Sequence, residues 1–151
     1  MKRLLLVLLF CAGGVVFSAA PVGAQTTRIV PDNWLPALAP SIRSALEQLK
    51  EANSQAEMNR LSREVADMTD AQLFIAYVRL YEVLSPKERT ALVAEQAKWL
   101  KARAKAAEDG IESKGGSLAP LEANSAEVTF TEKRLAELRD RLKAAQKKSK
   151  S

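Results

Sequence analysis

The chain has 151 residues, 47% apolar and 27% charged, a mixture too polar for a membrane bundle and too apolar for a fully disordered chain. It contains no histidine and one cysteine, Cys11 near the start. Beyond that cysteine the chain has no Ser-His-Asp or Cys-His centre, no zinc or haem ligation and no disulfide. The formal charge is +5, but leaving out Lys2, Arg3 and the terminal Lys143, Lys147, Lys148 and Lys150 gives 17 basic against 18 acidic residues, so the body is near neutral and carries no nucleic-acid footprint.

Lys2-Arg3 precedes an uncharged apolar run from Leu4 to Phe17, followed by the small residues of Val22-Gly23-Ala24. That order of charge, apolar run and small side chains predicts a signal peptide over residues 1–24, cleaved after Ala24, and a periplasmic or secreted destination without stable membrane insertion afterwards. Cys11 does not fit a lipid-attachment site, because bulky Phe10 precedes it where a small residue is needed.

Residues 25–40 hold Pro31, Pro36 and Pro40, which deny backbone donors and restrict their predecessors, and they read as an extended lead-in. A helical domain is expected over 41–142. From Ser41, Ile42, Leu46 and Leu49 recur at spacings of four and three. The pattern continues through Leu61, Val65 and Met68 as one long or two short helices, weakened at Asn53, Ser54 and Asn59. A block from about Asp70 to Leu84 places Leu73, Tyr77, Leu80, Tyr81 and Leu84 on one stripe. Ser85-Pro86-Lys87-Glu88 is a strong helix start: a hydroxyl cap, a proline suited to the first turn and a capping-box acid. That helix carries Leu92, Gln96, Trp99, Arg103 and Ala106 along one face and runs to about Ser113, where Lys114-Gly115-Gly116-Ser117 interrupts it and Pro120 fits a restart. In the last helix Val128, Thr131, Leu135, Leu138, Leu142 and Ala145 alternate steps of three and four, the seam of helices packed at shallow angles. Residues 143–151 read as a Lys-rich flexible tail. The fold class is all-α: three or four helices in an elongated hairpin or bundle.

Two constellations stand out. Glu95, Gln96, Trp99 and Arg103 lie on adjoining turns of one helix; they read as a core tryptophan with an arginine paired to an acid on the last helix, or as an interface anchor patch. Gly115-Gly116-Ser117 lacks the strand and the following Lys-Ser/Thr of a phosphate cradle, and reads as a helix stop with a left-handed glycine, or as a loop offered to a partner. Arg134, Glu137, Arg139, Asp140 and Arg141 are spaced as a solvated, pair-laced face. The lysine-rich end reads as solubilising charge or as a contact for anionic envelope polymers.

Several segments together resemble the lysozyme inhibitor LprI-like domain family of secreted bacterial proteins: Gln55-Ala56-Glu57-Met58-Asn59, Tyr77 and Leu84, Glu95-Gln96-x-x-Trp99-Leu100-x-x-Arg103, Gly115-Gly116-Ser117 with Pro120, and Thr131-x-x-Arg134-Leu135-x-x-Leu138, spanning about 55–142. The resemblance implies a small helical periplasmic domain whose Trp/Arg helix packs on the Arg134 helix across the Gly-Gly loop. For the name-giving branch it also implies binding and inhibition of lysozyme. Family members often carry cysteines after the Trp/Arg block and before the final arginine; here Ala107 and Ala126 stand at those places. A closed loop of that length is typically worth ~3 kcal/mol, so packing replaces it or the hairpin is looser.

The expectation is a non-enzymatic protein without cofactor or metal, whose partner is another protein, with lysozyme first. Since common host lysozymes are strongly basic, Glu108, Asp109, Glu112 and Glu122 near the loop are candidates for an acidic docking patch. The alternative is a structural adaptor of the envelope that pairs with itself, as a homodimer, or with another coiled coil through the 128–145 seam.

Overall fold

The structure is a computed structural model that describes residues 29–30, 34–113 and 115–149, with 34–37 as backbone only. The signal peptide expected over 1–24 lies outside the described residues. Among those residues the fold is all-α, with α1 Trp34–Glu51, α2 Gln55–Val83, α3 Pro86–Asp109 and α4 Ala119–Lys148, and no helix is long and apolar enough to cross a membrane.

Ser54 decides where α2 begins. Its hydroxyl accepts from the Glu57 amide at 3.2 Å, satisfying one of the free donors of the first turn. The Asn53 amide donates to the Glu57 carboxylate at 3.3 Å. The serine that weakens helix propensity in the interior is therefore a cap, and α1 and α2 are separate helices. From there α2 runs unbroken to Val83, across the boundary expected near residue 70; Thr69 stays helical by donating its hydroxyl to the Val65 carbonyl at 2.8 Å. The α3 start is as the sequence predicts: Ser85 and Glu88 form a reciprocal capping box, with Pro86 at the first helical position.

Three helix boundaries and the place of the left-handed glycine differ from the sequence reading. α1 starts at Trp34 within the expected extended lead-in: Pro36 falls in the first turn, where its missing N–H would have been unpaired, and Pro40 removes a single interior bond. α3 stops at Asp109 with Gly110 as its cap, ahead of the expected Ser113. The left-handed glycine is Gly115, at φ +85°, inside the connecting loop rather than at the helix end. α4 continues helical to Lys148, beyond the expected end at residue 142, and cations in its last turn oppose the negative end of the helix dipole.

α2 and α4 form the spine. They run parallel and share a register in which Asn124 Nδ2 donates to Ser62 Oγ at 2.9 Å and Arg139 Nη2 donates to Gln72 Oε1 at 3.2 Å. Each is about 45 Å long at 1.5 Å per residue. α1 packs on α2, and α3 packs on α4, both antiparallel to the spine. The main core joins Leu73, Ala76 and Leu80 of α2, Leu92 of α3, and Leu135, Leu138 and Leu142 of α4, with Tyr77, Leu84 and Trp99 against it. Fully burying each leucine contributes roughly 1.5–3 kcal/mol. A second set, Leu61, Val65 and Ala66 with Ala45 of α1, lies nearer the other end.

This arrangement uses the α4 seam internally. Thr131, Leu135, Leu138 and Leu142 are buried within the fold, so the 128–145 seam expected for self-pairing is not on offer to another chain. It also leaves two pairs of neighbours, α1 with α4 and α2 with α3, without extended contact. Each gap is a groove.

Candidate functional site

The residues singled out by sequence fall into two separate groups. Glu95, Gln96, Trp99 and Arg103 of α3 meet Arg134 of α4 along the interface between those helices, whereas Gly115, Gly116 and Ser117 belong to the loop.

Trp99 packs on the core edge with its ring centroid 5.9 Å from that of Phe130, and the Arg103 guanidinium sits 5.0 Å over the indole. Arg103 donates through Nη1 to the Asp70 carboxylate of α2 and through the same atom to Thr131 Oγ1 at 3.4 Å. Its Nη2 lies 3.5 Å from Glu127 Oε1 of α4. One side chain thus ties three helices together, and the expected acid on the last helix is Glu127.

Arg134 departs from the solvated face its charged neighbours suggest: its side chain is only 6% exposed. It lies on the same stripe as Thr131, Leu135 and Leu138, so helix geometry turns it inwards whatever its charge. Nε donates to Gln96 Oε1 at 3.2 Å and Nη1 to Glu137 Oε1 at 2.7 Å, while Nη2 is buried without a hydrogen bond, 3.6 Å from Glu95 Oε2. Glu95 in turn accepts from Arg141 Nη1 at 2.6 Å. That bond is the leading reason the Glu95 carboxyl ionises below its ordinary range, with the Arg141 and Arg134 charges adding to it against the cost of burial. Every member of this group is engaged in holding α3 to α4.

The loop is held by Glu122. Its Oε2 accepts from the Glu112 amide at 3.1 Å, the Ser113 amide at 3.0 Å and the Ser113 hydroxyl at 2.7 Å. The Ser113 hydrogen bonds push its carboxyl pKa down. Asn59 Nδ2 clamps the Ser117 carbonyl at 3.0 Å from α2. Gly110 lies so close to α4 that a Cβ placed there would stand 2.5 Å from the Ala126 Cβ. Close backbone approach and Glu122 thus occupy the stretch where the resemblance implies a disulfide.

The surface is electrically polar along its length. Residues 105–127, which build the hairpin end, hold five acidic and two basic side chains, while residues 139–148 at the opposite end hold one acidic and five basic. At the hairpin end Glu108 and Glu112 are exposed, Asp109 pairs with Lys105 at 2.8 Å, and Glu122 is occupied by the loop amides.

Of the two grooves, the larger, about 770 Å³, lies between α1, α2 and α4, with Leu46, Leu49, Met58, Val65 and Phe130 in its walls and the Ser62–Asn124 pair in its floor. The smaller, about 510 Å³, lies between α2 and α3 and is almost wholly apolar, lined by Leu73, Phe74, Tyr77, Val93, Ala97 and Leu100, with Asp70 and Arg103 closing one end. The sequence reading missed this second groove. The signal was present: Val93, Ala97 and Leu100 form an apolar stripe on α3 one position away from the one that carries Leu92 and Trp99.

The sequence model of the family described as lysozyme inhibitor LprI matches residues 46–138, more than half of the chain. The chain belongs to the lysozyme inhibitor LprI family. No curated protein and no solved structure matches it. The LprI match begins inside α1, at Leu46 rather than the expected Gln55, and ends at Leu138 in the middle of α4. It therefore takes in the α3–α4 cluster, the loop and both walls of each groove. Within this LprI fold the Trp/Arg helix does pack on the Arg134 helix.

Proposed function

We propose that this chain is an exported, non-catalytic protein that binds lysozyme in the cell envelope and inhibits it. The observation that carries the reading is the family match across 46–138, which spans the greater part of the helical body. The leader-type sequence over residues 1–24 supports export to the periplasm or beyond. The acidic hairpin end supports the choice of partner: a strongly basic enzyme approaching an elongated dipolar protein is steered to its negative end, which raises the encounter rate and fixes orientation.

In this reading Glu108 and Glu112 are the contact acids, both exposed on the hairpin end. Glu95, Gln96, Trp99, Arg103 and Arg134 act from within, fixing α3 against α4 so that the end is presented rigidly; Gly115, Gly116 and Ser117 form the tip. Rigidity matters because an interface ordered before contact loses less entropy on binding.

A muramidase assay with purified protein tests this. Inhibition at near-stoichiometric ratios is expected, weakened by Glu108→Lys with Glu112→Lys while circular dichroism stays unchanged. Full enzyme activity at a large molar excess of the chain rejects the reading.

A further inference from the structure

The α2–α3 groove presents an apolar stripe that the fold itself leaves uncovered. Val93, Ala97 and Leu100 recur at spacings of four and three, the geometry of a helix-packing seam, yet they face α2 across a gap. On the opposite wall stands Phe74, 65% exposed, and Tyr81, Val93 and Leu100 are exposed beside it. We propose that this groove is the interface of an antiparallel homodimer, in which Phe74 of each copy enters the α2–α3 groove of the other.

Three features favour a second copy as the occupant. The first is shape. A two-fold interface requires one patch to be complementary to itself, and here the projecting ring and the cleft that receives it belong to the same patch. The second is charge. Arg89 closes the Tyr81 end of the face; its guanidinium donates to the Tyr81 and Glu82 carbonyls at 2.8 and 3.0 Å and lies 5.0 Å over the Tyr81 ring, with no carboxylate partner among the described residues. Asp70 closes the other end; it already pairs with Arg103, and its side chain keeps 36% of its surface exposed for a second cation. A two-fold rotation perpendicular to the helices brings each Arg89 to the second copy's Asp70, and it sets the acidic hairpin end of one rod against the basic end of the other. A parallel pairing would oppose like charges.

The third is area. Phe74, Tyr81, Val93 and Leu100 are exposed by 65, 37, 49 and 46% on one face, and apolar patches of about 300–600 Å² on a monomer are often functional. Doubling a patch of that size by symmetry gives about 600–1,200 Å², which with a polar rim falls at the small end of specific interfaces. At this size a weak, reversible dimer is expected.

Sedimentation equilibrium of the purified protein over concentrations from about 1 μM to 1 mM reads this directly. A monomer–dimer equilibrium is expected. Phe74→Asp and Leu100→Glu should each weaken it at least tenfold, and Arg89→Glu should weaken it at low salt and much less at high salt. Phe74 and Leu100 are exposed, so the variants should keep the wild-type circular dichroism. A chain that stays monomeric throughout, or a dimer indifferent to both Phe74→Asp and Leu100→Glu, overturns the proposal. A monomer whose lysozyme binding is lost on Phe74→Asp assigns the groove to that partner and overturns it too, while leaving the inhibitor reading intact.

Discussion

Replacing Arg134 separates a structural role from a binding role. A buried arginine that loses its partners ordinarily costs several kcal/mol, because uncompensated charge is left in the interior. Here the reverse case holds, since the arginine is removed and its partners remain. Glu137 is 51% exposed and Glu95 45% exposed, so water takes over both carboxylates, and Glu95 keeps its 2.6 Å bond from Arg141. Exposed ion pairs are worth ~0.2–1 kcal/mol each, and the Gln96 hydrogen bond about 1 kcal/mol. Against that loss, removing the buried Nη2, which makes no hydrogen bond, relieves a desolvation cost of about 1–3 kcal/mol.

Arg134→Met, which keeps most of the aliphatic volume, is therefore expected to change unfolding free energy by less than about 1 kcal/mol in either direction. Arg134→Ala leaves a void between α3 and α4 and should cost about 2–4 kcal/mol. Urea unfolding followed by circular dichroism measures both, and lysozyme inhibition by the methionine variant should match wild type. A loss above about 3 kcal/mol for Arg134→Met, or equal losses for the two variants, would refute the assignment of this arginine to packing.

Three further outcomes are expected. Gly110→Ala sets a Cβ 2.5 Å from that of Ala126, one on the cap of α3 and the other on the α4 backbone, and should destabilise by about 1–3 kcal/mol; adding Ala126→Gly should restore most of the loss, which a double-mutant cycle in urea reads. Glu122→Gln should leave the global melt little changed but speed amide exchange at Glu112 and Ser113, whose amides the carboxylate now holds at 3.1 and 3.0 Å. Acid should lower stability: Glu88, through its Ser85 hydrogen bonds, Glu95 through Arg141, and Glu122 through Ser113 all ionise below the ordinary 4.5. Below that value the unfolded chain takes up protons first, so their contribution is complete above about pH 4.5 and disappears as pH falls through the lower folded values; urea midpoints at pH 7, 5 and 3 should be level between the first two and drop at the third.

Much of the fold was legible where local chemistry is self-contained. The Ser85–Glu88 box and Pro86 specify the α3 start without reference to the rest of the chain, and the 131–135–138–142 spacing identifies the α4 buried face. The reading failed where a local signal has two meanings. Ser54 weakens a helix interior but caps a helix start, and the choice depends on Glu57 three residues on. Pro36 and Pro40 suggest an extended chain, yet a helix tolerates the first in its opening turn and the second at the loss of one bond. Arg134 is charged among charged neighbours, and only the position of the core stripe shows that it is inside. The α2–α3 groove could not be read from either helix alone, because it arises from α3 choosing α4 over α2.

That choice bears on where a partner can bind. The residues that carry the resemblance to the family, Trp99, Arg103 and Arg134 above all, are engaged in joining helices, and a side chain that already satisfies its neighbours has little left to offer a second protein. They set the geometry; recognition falls to exposed positions that sequence motifs do not mark. On this molecule those positions separate by chemistry, with acids at the hairpin end and apolar side chains along the α2–α3 groove. A basic enzyme is attracted to the first, and the near-uncharged second favours its own kind. The two surfaces are thus expected to respond differently: Glu108→Lys with Glu112→Lys should weaken lysozyme binding, and weaken the dimer only at low salt, where the end charges are unscreened, and Phe74→Asp should weaken the dimer with lysozyme binding unchanged. Loss of both properties in either variant would mean that the hairpin end and the groove form one continuous interface.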